Sequence, residues 1–349
     1  MSKVCDDKTL TYIQTRFAEP QASKVQSIQT LWSGYGEIAR YYLPSSKQSV
    51  IAKLVRPPAN IEHPRGWNGQ QSHARKLDSY VNESRFYQHF SQRLDRFCRT
   101  PLCYFSSTEE TVVAKGEDHA VKDIQQDNIV SLLLMEDLDQ AGFAKRYDEG
   151  SLESVRLGIR WLAYFHAKFL NQALHMLWPI GTYWHLATRP DEFAQMPEGE
   201  LKQKATQLDS ALNNARFQTL LHGDAKLANF CFSDDGSDLA AVDFQYVGRG
   251  AGIKDVMYFM GSCLDDAELT ELADDLLDEY FVILKRAVER YHKGTFVSLG
   301  FAALEYEWRD LVPFAWADFQ RFLAGWAPEH YKLNGYMQKQ TAIALAKIW

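Results

Sequence analysis

The sequence lacks the features of a disulfide-bonded, zinc-binding or membrane-spanning protein. Its five cysteines are scattered, odd in number and without paired spacing, so they predict neither a disulfide framework nor a zinc site. No uninterrupted apolar run approaches the roughly 20 residues that cross a bilayer, and the first residues contain no apolar signal core. These absences predict a cytoplasmic protein with no membrane partner.

The chain also lacks an excess of positive charge. It has 38 Lys and Arg residues against 45 Asp and Glu residues, for a formal net charge of −7. Proteins that bind nucleic acid use clustered Lys and Arg to displace counterions from phosphates. The charge balance therefore argues against a nucleic-acid partner. A length of 349 residues, 46% of them hydrophobic, is instead enough for two domains with separate cores.

The first part of the chain predicts an antiparallel sheet with one main helix. Residues 44–47 fit a hairpin turn, 57–75 are rich in turn residues and predict a loop, 76–97 have helical spacing, and 115–127 form a charged, exposed stretch. Five segments have the composition of strands: 25–31, 38–43, 50–55, 103–105 with 111–114, and 129–135.

After residue 138 the pattern changes to long amphipathic helices, which predicts two lobes, 1–138 and 139–349. Ser151 is a candidate N-cap for a helix that runs to about residue 172. Short strands are predicted at 219–221, 230–232 and 240–242, and helices resume near Lys254, Ala267 and Leu304. The fold class is therefore α+β, with an N-terminal antiparallel-sheet lobe and a larger, mostly helical C-terminal lobe.

One stretch carries the residue types that phosphoryl transfer needs. Residues 222–229 read His-Gly-Asp-Ala-Lys-Leu-Ala-Asn. Asp224, in a tight turn after an apolar strand, can accept or orient the proton of an acceptor hydroxyl. Asn229 and Asp243 offer the hard oxygen atoms that Mg²⁺ prefers. Asp and Asn are also common in ordinary turns, but the joint spacing favours a catalytic Asp224 with Asn229 and Asp243 as metal ligands.

This spacing resembles the Brenner-type motif of the aminoglycoside and choline phosphotransferase superfamily. Its continuation through Asp-Phe-Gln at 243–245, Gly250, Asp255 and Tyr-Phe-Met at 258–260 is similar to the ecdysteroid-kinase-like branch. The resemblance implies a bilobal protein-kinase-like fold. It also implies an enzyme that uses ATP and Mg²⁺ to phosphorylate a hydroxyl of a small molecule, with the acceptor held in the helical lobe.

The same resemblance implies a nucleotide-binding N-terminal lobe. Lys53, in Val-Ile-Ala-Lys on the third predicted strand, would contact the α- and β-phosphates, and Glu83 on the following helix would pair with it. Two alternatives are that Lys53 guards an edge strand and that Glu83 faces solvent. The hinge that offers backbone groups to adenine would consist of Met135, Glu136, Asp137 and Leu138.

Several residues near these motifs have two interpretations. Gly34 and Gly36, in the loop 33–37, fit a phosphate-covering loop and a plain hairpin turn equally well. His222 and His166 are interpreted as scaffold residues rather than bases. Asp255 fits a helix cap or a tie to the 222–229 loop, and Lys226 fits a γ-phosphate contact or a solvent-exposed side chain.

Three rival functions follow from the same residues. A protein kinase would need a His-Arg-Asp loop, an Asp-Phe-Gly motif and a peptide-binding segment after Asp243, so no protein substrate is predicted. A metal-dependent hydrolase would need a further cluster of ligands, which His63, His73 and His89 do not provide. A nucleotide-binding pseudokinase that acts as a sensing or interaction module is the remaining alternative. The acceptor stays open, because the aromatic and acidic residues of 305–326 suit cationic and apolar molecules alike.

Overall fold

The computed structural model describes residues 2–31, 34–57, 69–108, 130–292 and 300–348. The chain forms two compact units, Met1–Arg93 with Thr100–Ala144 and Leu94–Arg99 with Lys145–Trp349. The first unit contains an antiparallel sheet and the second is mostly helical. The predicted α+β class of a bilobal kinase-like fold is therefore confirmed, while the exact lobe boundary after residue 138 stays a prediction.

The sheet of the first unit has five strands in the order β1-β2-β3-β5-β4, with every neighbouring pair antiparallel. The turn predicted at 44–47 joins β2 to β3. Three predictions fall wholly or partly outside the described residues: the strand at 111–114, the charged stretch 115–127 and the first residue of the strand 129–135. The elements of this unit are α1 (Ser2–Phe17), β1 (Ser23–Thr30), β2 (Gly36–Leu43), β3 (Gln48–Val55), α2 (Gly69–His89), β4 (Cys103–Thr108) and β5 (Ser131–Glu136).

Two helix predictions for this unit are wrong. α2 begins at Gly69, inside the predicted loop 57–75, and it ends at His89 rather than near residue 97. The helix gives way to two short 3₁₀ turns, Ser91–Arg93 and Arg96–Cys98. Asp95 caps the second turn by accepting a hydrogen bond from the Phe97 N–H at 3.0 Å. This local capping competes with continuation of the helix, although the apolar spacing runs on.

The two faces of the sheet are covered by different helices. Ala52 and Leu54 of β3 belong to a core cluster that includes Tyr12 of α1, whereas Val55 belongs to a cluster with Tyr80 of α2. Side chains alternate between the faces of a strand, so Lys53 lies on the α2 side, where its ammonium is 5.8 Å from the centroid of the Tyr80 ring. Strand periodicity therefore brings Lys53 to the helix that carries Glu83.

The second unit contains two small antiparallel strand pairs among its helices, β6 with β9 and β7 with β8. The predicted strands at 219–221 and 230–232 are present, and the third begins one residue earlier than predicted. β9 was not predicted, because two of its three residues are glycine and the third, Arg249, is exposed. The strands are β6 (Thr219–Leu221), β7 (Phe230–Phe232), β8 (Leu239–Ala241) and β9 (Gly248–Gly250), with a 3₁₀ turn at Leu227–Asn229.

Four helices of the second unit, α3, α7, α8 and α9, begin within about three residues of the predicted starts, whereas α4, α5, α6 and α10 were not predicted. Ser151 caps α3, because its side chain accepts a hydrogen bond from the Ser154 N–H at 3.2 Å. α3 ends at Phe169 rather than residue 172. The helices are α3 (Leu152–Phe169), α4 (Pro190–Gln195), α5 (Glu200–Gln203), α6 (Ala205–Asn213), α7 (Ile253–Cys263), α8 (Asp266–Tyr291), α9 (Phe301–Trp326) and α10 (Gly335–Lys347). Within the described ranges, no helix has the length and apolar character to span a membrane.

The apolar face predicted for α3 is buried and forms much of the core of this unit. α3 packs against α7 and α8, and α9 packs against α7 and α10. Each large apolar side chain that is fully buried contributes about 1.5–3 kcal/mol. This core supports the loop that follows β6. The buried residues that were predicted for α3 are Val155, Ile159, Leu162, Phe165 and Phe169.

Candidate active site

Asp224 lies in the loop that follows β6, held by a sharp turn at Gly223. The φ angle of Gly223 is +79°, a left-handed conformation that L side chains rarely adopt, and a Cβ atom there would collide with the backbone oxygen of Tyr246. The sequence His-Gly-Asp thus requires glycine at its centre for two reasons. The turn leaves Asp224 buried, with 5% of its surface exposed.

Replacing Gly223 tests how much the turn depends on close backbone approach. We expect Gly223→Ala to destabilise the second unit by about 2–3 kcal/mol, because backbone strain adds to the collision with Tyr246. Gly236→Ala is the matched control, since Gly236 has φ +72° but only the Tyr147 hydroxyl within 4.0 Å. The control should lose only the roughly 1–2 kcal/mol of the left-handed conformation. Equal losses in urea unfolding of the two variants would contradict the collision.

Asp255, in the first turn of α7, ties the 222–229 loop to the helical core. Its carboxylate accepts hydrogen bonds from the backbone N–H groups of His222 at 2.6 Å and Gly223 at 3.0 Å. The Nε2 atom of His166 lies 3.2 Å from the same carboxylate, and the Nδ1 atom of His166 lies 2.8 Å from the Tyr280 hydroxyl. Of the two interpretations of Asp255, the tie to the loop is confirmed, and His166 is a scaffold residue as predicted.

His222 has no free nitrogen with which to act as a base. Its Nε2 atom is 3.0 Å from the Val242 carbonyl oxygen, and its Nδ1 atom accepts a hydrogen bond from the Asp224 N–H at 3.3 Å. Burial lowers the pKa of His222, although the carboxylates of Asp255 and Asp224 oppose that effect. A neutral imidazole that donates from Nε2 satisfies both contacts. The scaffold role predicted for His222 is confirmed.

The Asp224 carboxylate is oriented by three donors. The Tyr258 hydroxyl donates to Oδ1 at 2.9 Å, and Lys226 Nζ lies 3.1 Å from Oδ2. The Asn229 amide donates to Oδ2 at 3.2 Å and to the Asp224 carbonyl oxygen at 2.8 Å. Burial raises the pKa of Tyr258 well above its usual value, so the phenol keeps its proton and stays a donor. The carboxylate is thereby held in one orientation.

Lys226 contacts Asp224, a partner that neither sequence interpretation foresaw. Burial alone would lower the pKa of this lysine, but the neighbouring carboxylate raises it overall. Lys226 is therefore charged at neutral pH, and 40% of its side chain is exposed. A contact between Lys226 and the γ-phosphate stays a prediction.

Asn229 and Asp243 lie next to each other on the β7–β8 hairpin. The Val242 N–H donates to the Asn229 carbonyl oxygen at 3.0 Å, which brings the backbone just before Asp243 alongside Asn229. The Asn229 nitrogen is already engaged with Asp224, so its Oδ1 atom is the one suited to a cation. One amide oxygen and one carboxylate fit the few hard ligands that Mg²⁺ takes from a protein.

Two further observations bear on this pair. Asp243 has a φ angle of +68°, which is uncommon for a residue other than glycine and costs about 1–3 kcal/mol. Its Oδ1 atom accepts a hydrogen bond from Gln245. No cluster of three or more His, Cys, Asp or Glu side chains suited to a metal occurs in the described parts of the chain. Metal binding by the amide and carboxylate stays a prediction.

In the first unit, Lys53 and Glu83 form a buried ion pair. Lys53 Nζ lies 2.7 Å from Oε2 and 2.9 Å from Oε1 of Glu83, and the two residues are 3% and 2% exposed. Lys53 lies on β3, an interior strand of the sheet, so it does not protect an edge strand from pairing with another chain. Glu83 likewise does not face solvent. The pairing matches the sequence prediction, whereas contact with nucleotide phosphates stays a prediction.

Gly36 is explained by the β1–β2 hairpin. The Leu31 N–H donates to the Gly36 carbonyl oxygen at 2.8 Å, and the Gly34 N–H donates to the Leu31 carbonyl oxygen at 3.0 Å. Gly36 has φ +143°, and a Cβ atom there would collide with the Leu54 backbone oxygen. The hairpin interpretation accounts for Gly36 without a ligand. Ser33 lies outside the described residues, and a phosphate contact at Gly34 or Gly36 stays a prediction.

The predicted hinge residues make several contacts within the first unit. The Asp137 carboxylate accepts hydrogen bonds from Arg40 Nε at 2.6 Å and from the Ser49 hydroxyl at 2.6 Å. Burial alone would raise the pKa of Asp137, but Arg40 and Ser49 lower it overall. The Glu136 N–H donates to the Leu102 carbonyl oxygen. Adenine binding by Met135, Glu136, Asp137 and Leu138 stays a prediction.

The sequence placed Tyr258 in the motif and Phe319 among the aromatic residues of 305–326, but it did not predict the contact of Tyr258 with Asp224, and it did not single out Tyr183. Tyr258 lies one helical turn after Asp255, so both residues project from one face of α7 towards the same loop. The Tyr183 hydroxyl lies 3.2 Å from the Tyr258 hydroxyl, and Phe319 of α9 packs edge-on against Tyr258 with centroids 5.1 Å apart. The spacing of Asp255 and Tyr258 is a signal in the sequence. Tyr183 is far from the motif, and no local pattern marks it.

Comparison with known proteins adds a family match. A search of curated proteins found no match. The model of the Ecdysteroid kinase-like family matches residues 182–292. This segment contains Asp224, Asn229, Asp243, Asp255 and Tyr258. Over residues 182–292, the chain is therefore similar to the Ecdysteroid kinase-like family, as its motif predicted.

Proposed function

We propose that this protein is an ATP- and Mg²⁺-dependent kinase that transfers the γ-phosphoryl group to a hydroxyl of a small molecule. The observation that carries the proposal is the fixed carboxylate of Asp224, which accepts a hydrogen bond from Asn229, in a segment that matches a kinase-like family. Catalysis of phosphoryl transfer depends mainly on alignment and compensation of charge. The arrangement around Asp224 suits both tasks.

Asp224 is the residue that receives or orients the acceptor proton. In the reaction, the acceptor oxygen forms a bond to the γ-phosphorus, the bond from that phosphorus to the β–γ bridging oxygen breaks, and ADP leaves. The hydroxyl proton passes to the Asp224 carboxylate. Tyr258 keeps the carboxylate aimed, and the charged Lys226 stabilises negative charge close to it.

The remaining residues hold the donor. Asn229 and Asp243 would bind Mg²⁺, which when bound neutralises phosphate charge. Lys53, oriented by Glu83, would place a positive charge on the α- and β-phosphates. A buried lysine needs a nearby carboxylate to stay charged at low energetic cost, and Glu83 supplies it.

Thermal unfolding with ATP, in the presence and absence of Mg²⁺, tests donor binding. A ligand at 100 times its Kd stabilises a protein by about 2.7 kcal/mol, so we expect Mg²⁺ to produce a clear rise in Tm with ATP. Asp243→Asn should lose the Mg²⁺-dependent part of that rise. Asn tolerates positive φ, so the variant should keep its fold without ligand. Absence of any Mg²⁺-dependent nucleotide effect at millimolar ATP would contradict the kinase proposal.

ADP formation then separates an enzyme from a nucleotide-binding pseudokinase. The acceptor panel contains hydroxylated metabolites, steroids, amino alcohols and aminoglycosides. Turnover with any class supports the kinase. Binding of Mg²⁺ and ATP without ADP formation across the panel would favour the sensing or interaction module.

A further inference from the structure

Lys332 is a buried lysine in the turn between α9 and α10. The residue is 8% exposed. Its ammonium lies 4.9 Å from the centroid of the Tyr258 ring and 5.9 Å from that of Phe319. Within the described parts of the chain, its ammonium makes no hydrogen bond and has no carboxylate within 4.0 Å. Lys332 thus holds a positive charge among aromatic rings without a counter-ion.

Other buried lysines of this protein have acidic partners. Lys53 pairs with Glu83, and Lys254 lies 3.6 Å from Asp318. Among the described residues, Lys332 Nζ is not one of the fully buried side-chain nitrogen atoms that lack a hydrogen-bond partner. The ammonium therefore keeps some contact with solvent, while the rest of the side chain is buried. Burial lowers the pKa of Lys332 to about 8 despite the opposing field of Asp224. The side chain is still mostly protonated at neutral pH, so the fold maintains a positive charge that contacts aromatic rings but has no carboxylate partner.

The position of this charge relates it to the acceptor. Tyr258 contacts Lys332 through its ring and Asp224 through its hydroxyl. Tyr258 donates to Asp224, and the Tyr183 hydroxyl lies 3.2 Å from that of Tyr258, so a molecule that presents a hydroxyl to Asp224 would have its skeleton close to these rings. Lys226, rather than Lys332, is the cation that contacts the Asp224 carboxylate. Lys332 is left to interact with another part of the acceptor.

We propose that Lys332 is the specificity-determining residue of the acceptor site and that the acceptor is an alcohol that also carries an anionic oxygen, such as a carboxylate. The inference rests on the proposed function. An ammonium at this position repels cationic acceptors and supplies a charge-assisted hydrogen bond to an anionic group. Aromatic neighbours suit an acceptor with an apolar skeleton.

Binding measurements test this proposal without requiring turnover. The probes are a panel of aromatic and aliphatic hydroxy acids and their methyl esters, added to the full-length protein with Mg²⁺ and a non-hydrolysable ATP analogue. We expect at least one acid to bind wild type roughly 10-fold or more tightly than its ester. Lys332→Met should abolish that preference, and Lys332→Arg should retain part of it. The proposal is wrong if no acid is preferred over its ester at 10 mM or if Lys332→Met retains the preference.

The pH dependence gives a second readout. Above pH 8 the Lys332 ammonium loses its proton, so the preference for the acid over its ester should fade between pH 7 and pH 9 in wild type. The groups that face Lys332 are Asp224, Lys226, Cys263, Tyr258, Tyr331 and His330. Burial raises the pKa of Cys263 to about 12 and lowers that of His330, so neither titrates in this window. A constant preference across this range would overturn the assignment.

Stability of the free protein distinguishes a binding role from a structural one. Lys332→Met removes a charge that has no carboxylate partner and keeps the apolar packing against the rings, so the loss is limited to cation–π attraction. Its Tm without ligand should stay within about 2–4 °C of wild type. Lys254→Met is the matched control, because it deprives Asp318 of a partner and should lower the Tm. A large fall in Tm for Lys332→Met would indicate a structural lysine. If that variant instead raised the KM for ATP, Lys332 would contact the phosphates. Failure of the kinase proposal would be recognised by a different result, namely that ATP with Mg²⁺ does not raise the Tm of the wild-type protein.

Discussion

Asp224→Asn is expected to reduce turnover by about 10²–10⁴-fold while leaving Mg²⁺- and ATP-dependent stabilisation in place. The amide has the shape of the carboxylate and can still accept the Tyr258 hydrogen bond. It cannot take the acceptor proton at neutral pH. The measurement is the rate of ADP formation with the best acceptor, together with the Tm in the presence of Mg²⁺ and ATP.

A matched control makes this result specific. Asp234 is an exposed acid in the turn between β7 and β8, and Asp234→Asn makes the same chemical change away from the 222–229 loop. The control should keep wild-type turnover. If Asp224→Asn abolished the Mg²⁺-dependent shift as well as turnover, Asp224 would be a metal ligand. If it kept turnover within a few-fold of wild type, another group would take the proton.

The part of the site that sequence predicts is the part encoded locally. Asp224 and Asn229 lie five residues apart, so one loop that ends in a 3₁₀ turn brings them together. The pairing of Lys53 with Glu83 spans two elements, yet it follows from strand alternation and a helix on that face. Contacts that follow from the spacing of nearby residues, or from the periodicity of one strand or helix, can be predicted from the sequence alone.

Contacts that depend on tertiary packing cannot be predicted from local spacing. Tyr183 and Lys332 reach the surroundings of Tyr258 from segments far away in sequence. α1 was not predicted, although Tyr12 and Ile13 pack against the sheet. Its apolar residues do not repeat with helical spacing along its whole length, so the helix depends on tertiary burial more than on its own pattern. Residues that select an acceptor fall in this second group, which is why the motif alone left its identity open.

Asp318→Asn is expected to lower the stability of the second unit by about 3–5 kcal/mol, because it leaves two buried cations without a full counter-charge. Asp318 is fully buried on α9. Arg321 donates to its Oδ1 from Nε at 3.0 Å and from Nη2 at 2.8 Å, and Lys254 Nζ lies 3.6 Å from its Oδ2. At about 2–4 °C for each kcal/mol in a unit of this size, the Tm should fall by about 6–20 °C.

The pH dependence of this contribution has a definite sign. Burial alone would raise the pKa of Asp318, but Arg321 and Lys254 lower it overall. A carboxyl group whose pKa is lower in the folded state stabilises the fold above its unfolded pKa and loses that effect in acid. The difference in unfolding free energy between wild type and Asp318→Asn should therefore be full at pH 7. It should shrink as the pH falls below about 4.

Asp310→Asn is the control on the same helix, since Asp310 pairs with Lys347 at 2.7 Å but is 51% exposed. An exposed pair contributes about 0–1 kcal/mol, so the two substitutions should differ by at least about 2 kcal/mol in urea unfolding. Similar losses of stability would mean that water or another group compensates for the missing charge in the buried cluster.

A large loss of stability in Asp318→Asn would also affect the candidate site. Lys254 lies over Trp184, with Nζ 5.9 Å from the ring centroid, and Trp184 stacks on Tyr258 with centroids 4.7 Å apart. We therefore expect loss of the charge at Asp318 to loosen the packing against Tyr258, whose hydroxyl donates to the Asp224 carboxylate.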